Sequence, residues 1–189
     1  MWFLVDQMTS RGYTQHFATS LLSVLGFANL VGRILGIMVK LRKHSCLAVY
    51  NMFYVCPILA VAHVLVILLQ RLGRWMYAAC TVHGVAFGLL NVFAPVIIYD
   101  LSDKDKFQQA VSQLNLTFGV ANLLSNFIGG IIRDIYGNYD MAYKLGVTAA
   151  IIVTLGFVII AKETRKRDME RKSFITEYNE QVTKYKSIN

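Results

Sequence analysis

Five long apolar stretches constrain what this chain can fold into more than any other feature of its sequence. An α-helix needs about 20 apolar residues to cross the hydrocarbon core of a bilayer, and each stretch is long enough. They are Ala18–Val39, Cys46–Leu69, Trp75–Tyr99, Ala110–Ile132 and Met141–Ala161. The chain of 189 residues is 56% hydrophobic and only 16% charged. The core of a soluble protein of this size could hardly bury all five stretches. The sequence therefore predicts an all-α membrane protein with five transmembrane helices.

The two ends of the chain lie outside these spans. Met1–Val5 is too short for the apolar region of a signal peptide, and we interpret it as the outer end of a sixth helix from which the rest is missing. Residues 1–161 are thus predicted to form a membrane half-bundle, followed by a basic tail over residues 162–189. The tail is expected either as a helix held at the membrane surface by anionic lipid or as a solvated, partly disordered segment.

The positive charges are unevenly distributed between the two sides of the predicted bundle. The net charge is +8; thirteen Lys or Arg residues lie in the segments on the side of the C-terminus, five lie on the opposite side, and Arg33 lies within a span. Cytoplasmic loops carry the excess of Lys and Arg in membrane proteins, so the tail is predicted to be cytoplasmic. Because the basic surplus belongs to a membrane boundary, we expect membrane lipids and no nucleic acid as partners.

The sequence lacks the motifs of several classes of enzyme site. It has no P-loop, metal-ligand cluster or nucleophile–base arrangement, and the spacing of Cys46, Cys56 and Cys80 is not that of a metal site. The cores of the predicted spans contain no Asp or Glu, so a proton-relay carboxylate is not expected in them. We predict that the protein is not an enzyme and has no cofactor or metal.

Arg33 is the most informative residue, because a charge at the centre of a span costs at least about 2.5–3.5 kcal/mol. One interpretation is a guanidinium that faces a water-filled path and holds an anion through two parallel hydrogen bonds. The alternative is a structural arginine that snorkels to the inner interface. Gly26, Asn29, Arg33 and Gly36 recur at helical spacing, which predicts that small residues, an amide and a cation share one helix face.

Two further spans carry polar stripes. In the fourth span, Asn115, Gly119, Asn122 and Asn126 recur at helical spacing. These amides either line a solvated path and bind oxygens of a substrate, or form hydrogen bonds between helices.

The third span contains His83, Phe87 and Asn91 at intervals of four residues. His83 is either a proton-sensitive cavity residue or a neutral hydrogen-bonding residue within the bundle. His63 lacks polar neighbours in our interpretation, and we expect it to be structural.

Parts of the first and fourth spans are similar to each other. GFANLVGRILG (Gly26–Gly36) and GVANLLSNFIG (Gly119–Gly129) are identical at five of eleven positions. The spans are three apart and cross the membrane in opposite directions, and inverted repeats of this kind are typical of secondary transporters. Chance similarity between small and apolar residues is the alternative.

Three segments also carry the motifs of a known family. FANLVGRILG, AFGLLNVFAPVIIYDL and GGIIRDIYGNYDMAY resemble the eighth helix, the tenth helix and the end of the eleventh helix of monocarboxylate-transporter-like proteins of the major facilitator superfamily. The chain resembles the C-terminal half, from the end of the seventh helix to the twelfth, and Arg33 matches the family's substrate-linked arginine. The resemblance implies symport of an organic anion or amino-acid-like solute by alternating access, a plasma-membrane location, a missing N-terminal half and a single-span accessory subunit as a candidate partner.

The chain departs from this family at two places. Asn29 stands where proton-coupled members carry an Asp four residues before the arginine, and an amide cannot titrate. The run Ser125-Asn126-Phe127 stands where some members have Gly-Pro-Pro. The first departure argues against proton-coupled lactate transport, and the second is expected to alter helix bending and substrate choice.

These observations together predict a secondary active carrier of a small carboxylate-bearing solute. Arg33 is expected to hold the carboxylate, and Asn29, Asn122, His83 and Asn91 are the other candidate substrate-binding residues. The rival interpretation is a truncated, non-transporting membrane protein with a regulatory role, or a partial gene product.

Overall fold

The computed structural model describes residues 3–42 and 48–188, and this part of the chain is helical without a β-strand. The start of the second predicted span, at Cys46, lies outside the described residues. The six helices are α1 (Leu4–Ser10), α2 (Gln15–Arg42), α3 (Ala48–Leu69), α4 (Met76–Leu101), α5 (Phe107–Tyr136) and α6 (Asp140–Ile188). Short 3₁₀ turns at Gly73–Trp75 and Lys104–Lys106 precede α4 and α5.

Within the described ranges, five helices are long and apolar enough to cross a membrane, which confirms the all-α membrane fold. The qualifying segments are Gln15–Leu41, Asn51–Leu69, Gly73–Leu101, Phe107–Tyr136 and Asp140–Lys166. Large apolar side chains remain exposed along all five, for example Phe27, Leu68 and Leu123 at 70%, 63% and 73%. Exposed apolar surface on this scale is expected where lipid or further helices, rather than water, surround a bundle.

The residues before the first span form a short helix that packs on the bundle. Leu4 and Met8 lie one helical turn apart in α1 and are fully buried, together with Ala18 and Leu21 of α2. The chain reverses between the two helices at Gly12, whose φ of +86° lies in the left-handed region that glycine adopts without strain. Leu4 and Val5, at the end of the predicted stub Met1–Val5, begin α1, which extends to Ser10. That the stub belongs to a longer helix stays a prediction.

Glycines bring α2 and α4 into close contact. A Cβ atom at Gly88 would collide with the carbonyl oxygen of Asn29, and one at Gly32 would collide with the carbonyl oxygen of Val85. A Cβ atom at Gly84 would lie 2.6 Å from the carbonyl oxygen of Leu25. Both helices thus carry a small-xxx-small pattern at the interface, which lets two membrane helices approach backbone to backbone.

α3 packs against α4 and α6, whereas α5 remains largely exposed. Met52 and Cys56 of α3 are buried with Phe93 and Ile97 of α4. In α5, the buried residues are Gly129 and Ile132, near its C-terminal end. Most of α5, including the predicted asparagine stripe, therefore presents its side chains outside the described bundle.

α6 continues without a break from the membrane into the tail. It runs over 49 residues, which at 1.5 Å per residue is about 74 Å and more than twice the thickness of the hydrocarbon core. The division that we predicted between residues 161 and 162 is therefore not a helix boundary. A surface position of the tail stays a prediction.

Candidate functional site

Arg33 and Asn29 form a hydrogen-bonded pair on α2. Nε of Arg33 donates to Oδ1 of Asn29 over 3.0 Å. The two residues are four positions apart, so they lie one above the other on the helix surface. Arg33 is exposed and Asn29 is half-buried. The amide thus fixes one nitrogen of a guanidinium that the described helices leave open on its other side.

A close approach of α2 and α4 holds the backbone of this turn. Gly88 lies against the carbonyl oxygen of Asn29, and a Cβ atom there would be 2.9 Å from the amide nitrogen of Arg33. Glycine at this position therefore allows α4 to support the helix segment that carries both side chains. The pair is built on packed helices, where its geometry is better defined than on a loop.

The remaining donors of Arg33 decide how it can hold an anion. Within the described part of the chain, the two terminal Nη groups have no hydrogen-bond partner. Because Nε is occupied by Asn29, a carboxylate would approach end-on and accept one hydrogen bond from each Nη group. Such bidentate, charge-assisted pairs are among the stronger hydrogen bonds in proteins.

The predicted polar face of α2 is packed at one end and open at the other in the folded bundle. Gly36 packs against Val92, where a Cβ atom would lie 3.1 Å from the valine Cβ, whereas Gly26 faces open space. Gly119 and Gly129, the matching residues of the predicted repeat, show the same contrast: Gly119 is open and Gly129 packs against Phe3. The two packed glycines meet different neighbours, Val92 and Phe3, and the repeat stays a prediction.

The other candidate residues are not brought against Arg33. Asn122 is exposed on α5, and the described residues contain no hydrogen bond between its side chain and Arg33. Nδ2 of Asn91 donates to the carbonyl oxygen of Phe87 over 2.8 Å. His83 is only 5% exposed and lies against His63 of α3. These three residues therefore stay predictions as substrate-binding residues.

His63 and His83 form a contact that the sequence pattern does not reveal. Their rings meet edge to face with centroids 4.8 Å apart, and the ring of Tyr143 lies 6.3 Å from that of His63. Our interpretation that His63 lacks polar neighbours is therefore wrong. It considered only helical spacing, and the neighbour comes from another helix.

The sequence pattern also does not reveal a polar network at the α1 end of the bundle. Asp140, at the start of α6, accepts from Nη2 of Arg11 over 2.9 Å and from Nε2 of Gln70 over 3.0 Å. Gln70 in turn accepts from Nε2 of Gln7 over 2.7 Å. Gln7 and Gln70 are 1% and 4% exposed, so this network connects α1, the turn after α3 and the start of α6.

The same end contains a second network around Asp6. Its carboxylate pairs with Nε of Arg133 at 2.9 Å and accepts from the hydroxyl of Tyr139 over 2.6 Å. Burial, followed by this hydrogen bond to the Asp6 carboxylate, raises the pKa of Tyr139 to about 12. More than 120 positions separate the bonded residues, so sequence spacing gives no signal for them.

The opposite end of the bundle has its own ion pair. Nζ of Lys40, in α2, lies 3.1 Å from the carboxylate of Asp100, near the end of α4. The pair joins the two helices that also carry the glycine contacts.

The described residues contain no group of three or more His, Cys, Asp or Glu side chains that is placed to hold a metal ion.

Comparison with known proteins identifies transporters as relatives. No family model and no solved structure matches the chain. It is 24% identical over 177 residues to mouse monocarboxylate transporter 6, with 90% of this chain and 37% of the relative covered. It is 29% identical over 171 residues to rat monocarboxylate transporter 12, with 87% and 34% covered.

Human monocarboxylate transporter 1 is 25% identical over 182 residues, with 88% of this chain and 36% of the relative covered. The chain therefore spans about a third of the length of the curated relatives it matches. All three are named as transporters, in agreement with the expectation of a non-enzymatic protein. Five apolar helices and these relatives together identify the chain as a multi-pass membrane protein related to the monocarboxylate transporters.

Proposed function

We propose that this chain forms part of a secondary active transporter for a small carboxylate-bearing solute. The observation that carries the proposal is the exposed guanidinium of Arg33 on an apolar helix, held at Nε by Asn29 and open at both Nη groups. A permanent cation within a membrane span is costly, so it is expected to be retained where it binds an anion. Relatives that are named monocarboxylate transporters support this class of substrate.

Asn29 favours an anionic substrate over an internal ion pair. A carboxylate at position 29 would lie one helical turn from Arg33 and would compete with the substrate for the guanidinium. The neutral amide orients Nε without neutralising the charge. Arg33 therefore keeps its full attraction for an incoming carboxylate, and no residue of this pair needs to change its protonation state.

Transport by alternating access requires two halves around a central site. We propose that a second, N-terminal half faces the exposed sides of α2 and α5, where Arg33 and Asn122 lie. Asn122 would then approach the substrate only in the assembled carrier. Symport and an accessory subunit are proposals that rest on the resemblance to the family.

The distribution of basic residues supports a cytoplasmic C-terminus, and we propose the plasma membrane as its location. A C-terminal epitope tag on intact cells tests this orientation. The tag should bind antibody only after the membrane is permeabilised.

A second candidate function is that of a non-transporting membrane subunit. It is favoured by the large apolar side chains that stay exposed along the described helices, because such a surface can pack against a partner within the membrane. The two candidates differ in whether the chain contributes to solute uptake, and the following experiment separates them.

The test is uptake of labelled small monocarboxylates by cells that express the chain alone or fused behind the N-terminal half of rat monocarboxylate transporter 12. Arg33→Lys should remove most uptake, because lysine keeps the charge but loses the planar pair of Nη donors. Arg133→Lys is the matched control, since Arg133 pairs with Asp6 at an exposed position. Values are normalised to surface expression. Full uptake by Arg33→Lys would overturn the proposed role, and no uptake in either format would favour the second candidate.

A further inference from the structure

A cavity of about 360 Å³ lies between α3, α5 and α6, and Arg33 is not among the residues that line it. Five residues supply its polar groups. They are His63 of α3, Ser125 and Asn126 of α5, Tyr139 between α5 and α6, and Tyr143 of α6. Ligand pockets in proteins have volumes of about 300–1,000 Å³ and combine apolar walls with a few polar groups. The cavity therefore has the size and composition of a small-molecule site.

His63 presents a hydrogen-bond acceptor of defined position to this cavity. Its Nδ1 lies 2.8 Å from the carbonyl oxygen of Leu59. A carbonyl can only accept, so Nδ1 of the neutral ring carries the hydrogen and Nε2 is left as an acceptor. The edge-to-face contact with buried His83 supports the ring from behind.

Gly146 makes room for this edge of the histidine ring. A Cβ atom at Gly146 would lie 2.8 Å from Cδ2 and 3.1 Å from Nε2 of His63. The Nε2 edge therefore faces the part of α6 that lines the cavity. A larger side chain at position 146 would occupy the space next to the acceptor.

The walls of the cavity favour a ligand without charge. The residues that line it within the described structure include no Lys, Arg, Asp or Glu, and an unpaired ion is costly to bury. Phe3 and Tyr139 stack at 4.9 Å with an interplanar angle of 17° and form an aromatic wall. The hydroxyl of Ser125 donates to the carbonyl oxygen of Asn122. The Ser125 oxygen can therefore only accept a hydrogen bond from a ligand.

We propose that this cavity binds an uncharged ring compound whose hydroxyl donates a hydrogen bond to Nε2 of His63. The ring packs against Phe3 and Tyr139, and Asn126 supplies polar groups from α5. Membrane sterols and water-borne phenols share this chemistry. The proposal is independent of solute transport.

The test uses the full chain in phosphatidylcholine nanodiscs with ¹⁵N-labelled histidine. The His63 signals are those lost in His63→Phe. p-Cresol, toluene and p-toluate are added in separate titrations, because they share a methylated ring and differ in carrying a hydroxyl, no polar group or a carboxylate. A second set of nanodiscs contains cholesterol. We expect p-cresol to shift Nε2 of His63 saturably and to bind at least about tenfold more tightly than toluene or p-toluate.

Two glycine variants on α6 distinguish the cavity from general membrane partitioning. Gly146→Leu fills the space beside His63 and should abolish the shift. Gly156→Leu is the matched control, since a Cβ atom at Gly156 meets nothing within 4 Å, and it should leave binding unchanged. A shift with cholesterol alone or with p-cresol alone supports the site and identifies a membrane or an aqueous source.

Three results would overturn the proposal. The first is no shift with either hydroxyl compound. The second is binding of p-toluate as tight as that of p-cresol. The third is wild-type affinity for p-cresol in both His63→Phe and Gly146→Leu, measured by equilibrium dialysis.

Discussion

Nε of Arg33 donates a 3.0 Å hydrogen bond to Oδ1 of Asn29, one turn earlier on the same helix. A neutral amide thus occupies the position from which a carboxylate would pair with the guanidinium. The guanidinium is oriented but not neutralised, and its two Nη groups define the direction from which an anion can be bound. This relationship leads to the first of four predictions.

Asn29→Asp should lower uptake of a monocarboxylate at neutral pH and make it depend on pH. The new carboxylate pairs with Arg33 and competes with the substrate, and acidification relieves the competition by protonating it. Uptake by the fused carrier in proteoliposomes between pH 3 and 8 measures the effect, because pairing with a guanidinium keeps the pKa of an Asp below its usual value of about 3.9. Asn29→Ala is the control, because it frees Nε without adding a titratable group. A pH profile of Asn29→Asp identical to that of Asn29→Ala would contradict the prediction.

Gly88→Ala should destabilise the bundle by about 1–3 kcal/mol, the usual cost of inserting a methyl group into a well-packed site. The added Cβ atom collides with the carbonyl oxygen of Asn29 and must push α2 away from α4. Gly119→Ala is the matched control, because its Cβ atom meets nothing within 4 Å and alanine favours helix. Thermal unfolding in detergent is the measurement. Equal midpoints for the two variants would show that the close approach of α2 and α4 contributes little.

Asp140→Asn should destabilise the protein by about 1–3 kcal/mol, because it removes the charged acceptor shared by Arg11 and Gln70. The matched control is Asp103→Asn. Asp103 pairs with Lys106 at 3.8 Å, but their side chains are 82% and 74% exposed. Exposed pairs contribute only about 0–1 kcal/mol. Denaturant unfolding of both variants tests the difference, and a smaller effect at position 140 than at 103 would argue against a stabilising network.

Tyr139 should make stability depend on pH in the alkaline range. Its pKa is raised to about 12 in the folded protein, whereas an unperturbed tyrosine has a pKa of about 10. The folded state therefore holds this proton more tightly than the unfolded state. The resulting stabilisation is fully present below pH 10 and is lost as the pH rises through 12.

Unfolding midpoints of the wild type, Tyr139→Phe and Tyr136→Phe between pH 9 and 12 measure this contribution. Tyr139→Phe should flatten the alkaline decline, while Tyr136→Phe should retain it, because the Tyr136 side chain is 55% exposed. Parallel declines in all three proteins would place the titrating group elsewhere.

The sequence by itself determined the number of apolar spans that the described helices contain, and it singled out Arg33 as the candidate for anion binding. Both depend on local properties. A span is recognised from about 20 consecutive apolar residues, and Arg33 stands out because charge is costly within such a span. The pairing with Asn29 was also accessible, since residues four apart share a helix face.

The tertiary structure decided which helices touch and which polar groups meet. Three contacts join different segments of the bundle. They are the ring contact between His63 and His83, the two hydrogen bonds that Asp140 accepts, and the close approach that glycine allows at position 88. In a membrane, lipid solvates every apolar helix face equally well, so hydropathy carries no information about neighbours. Helix contacts depend instead on close packing and interhelical hydrogen bonds, which is why the cavity between α3, α5 and α6 emerged only from the folded chain.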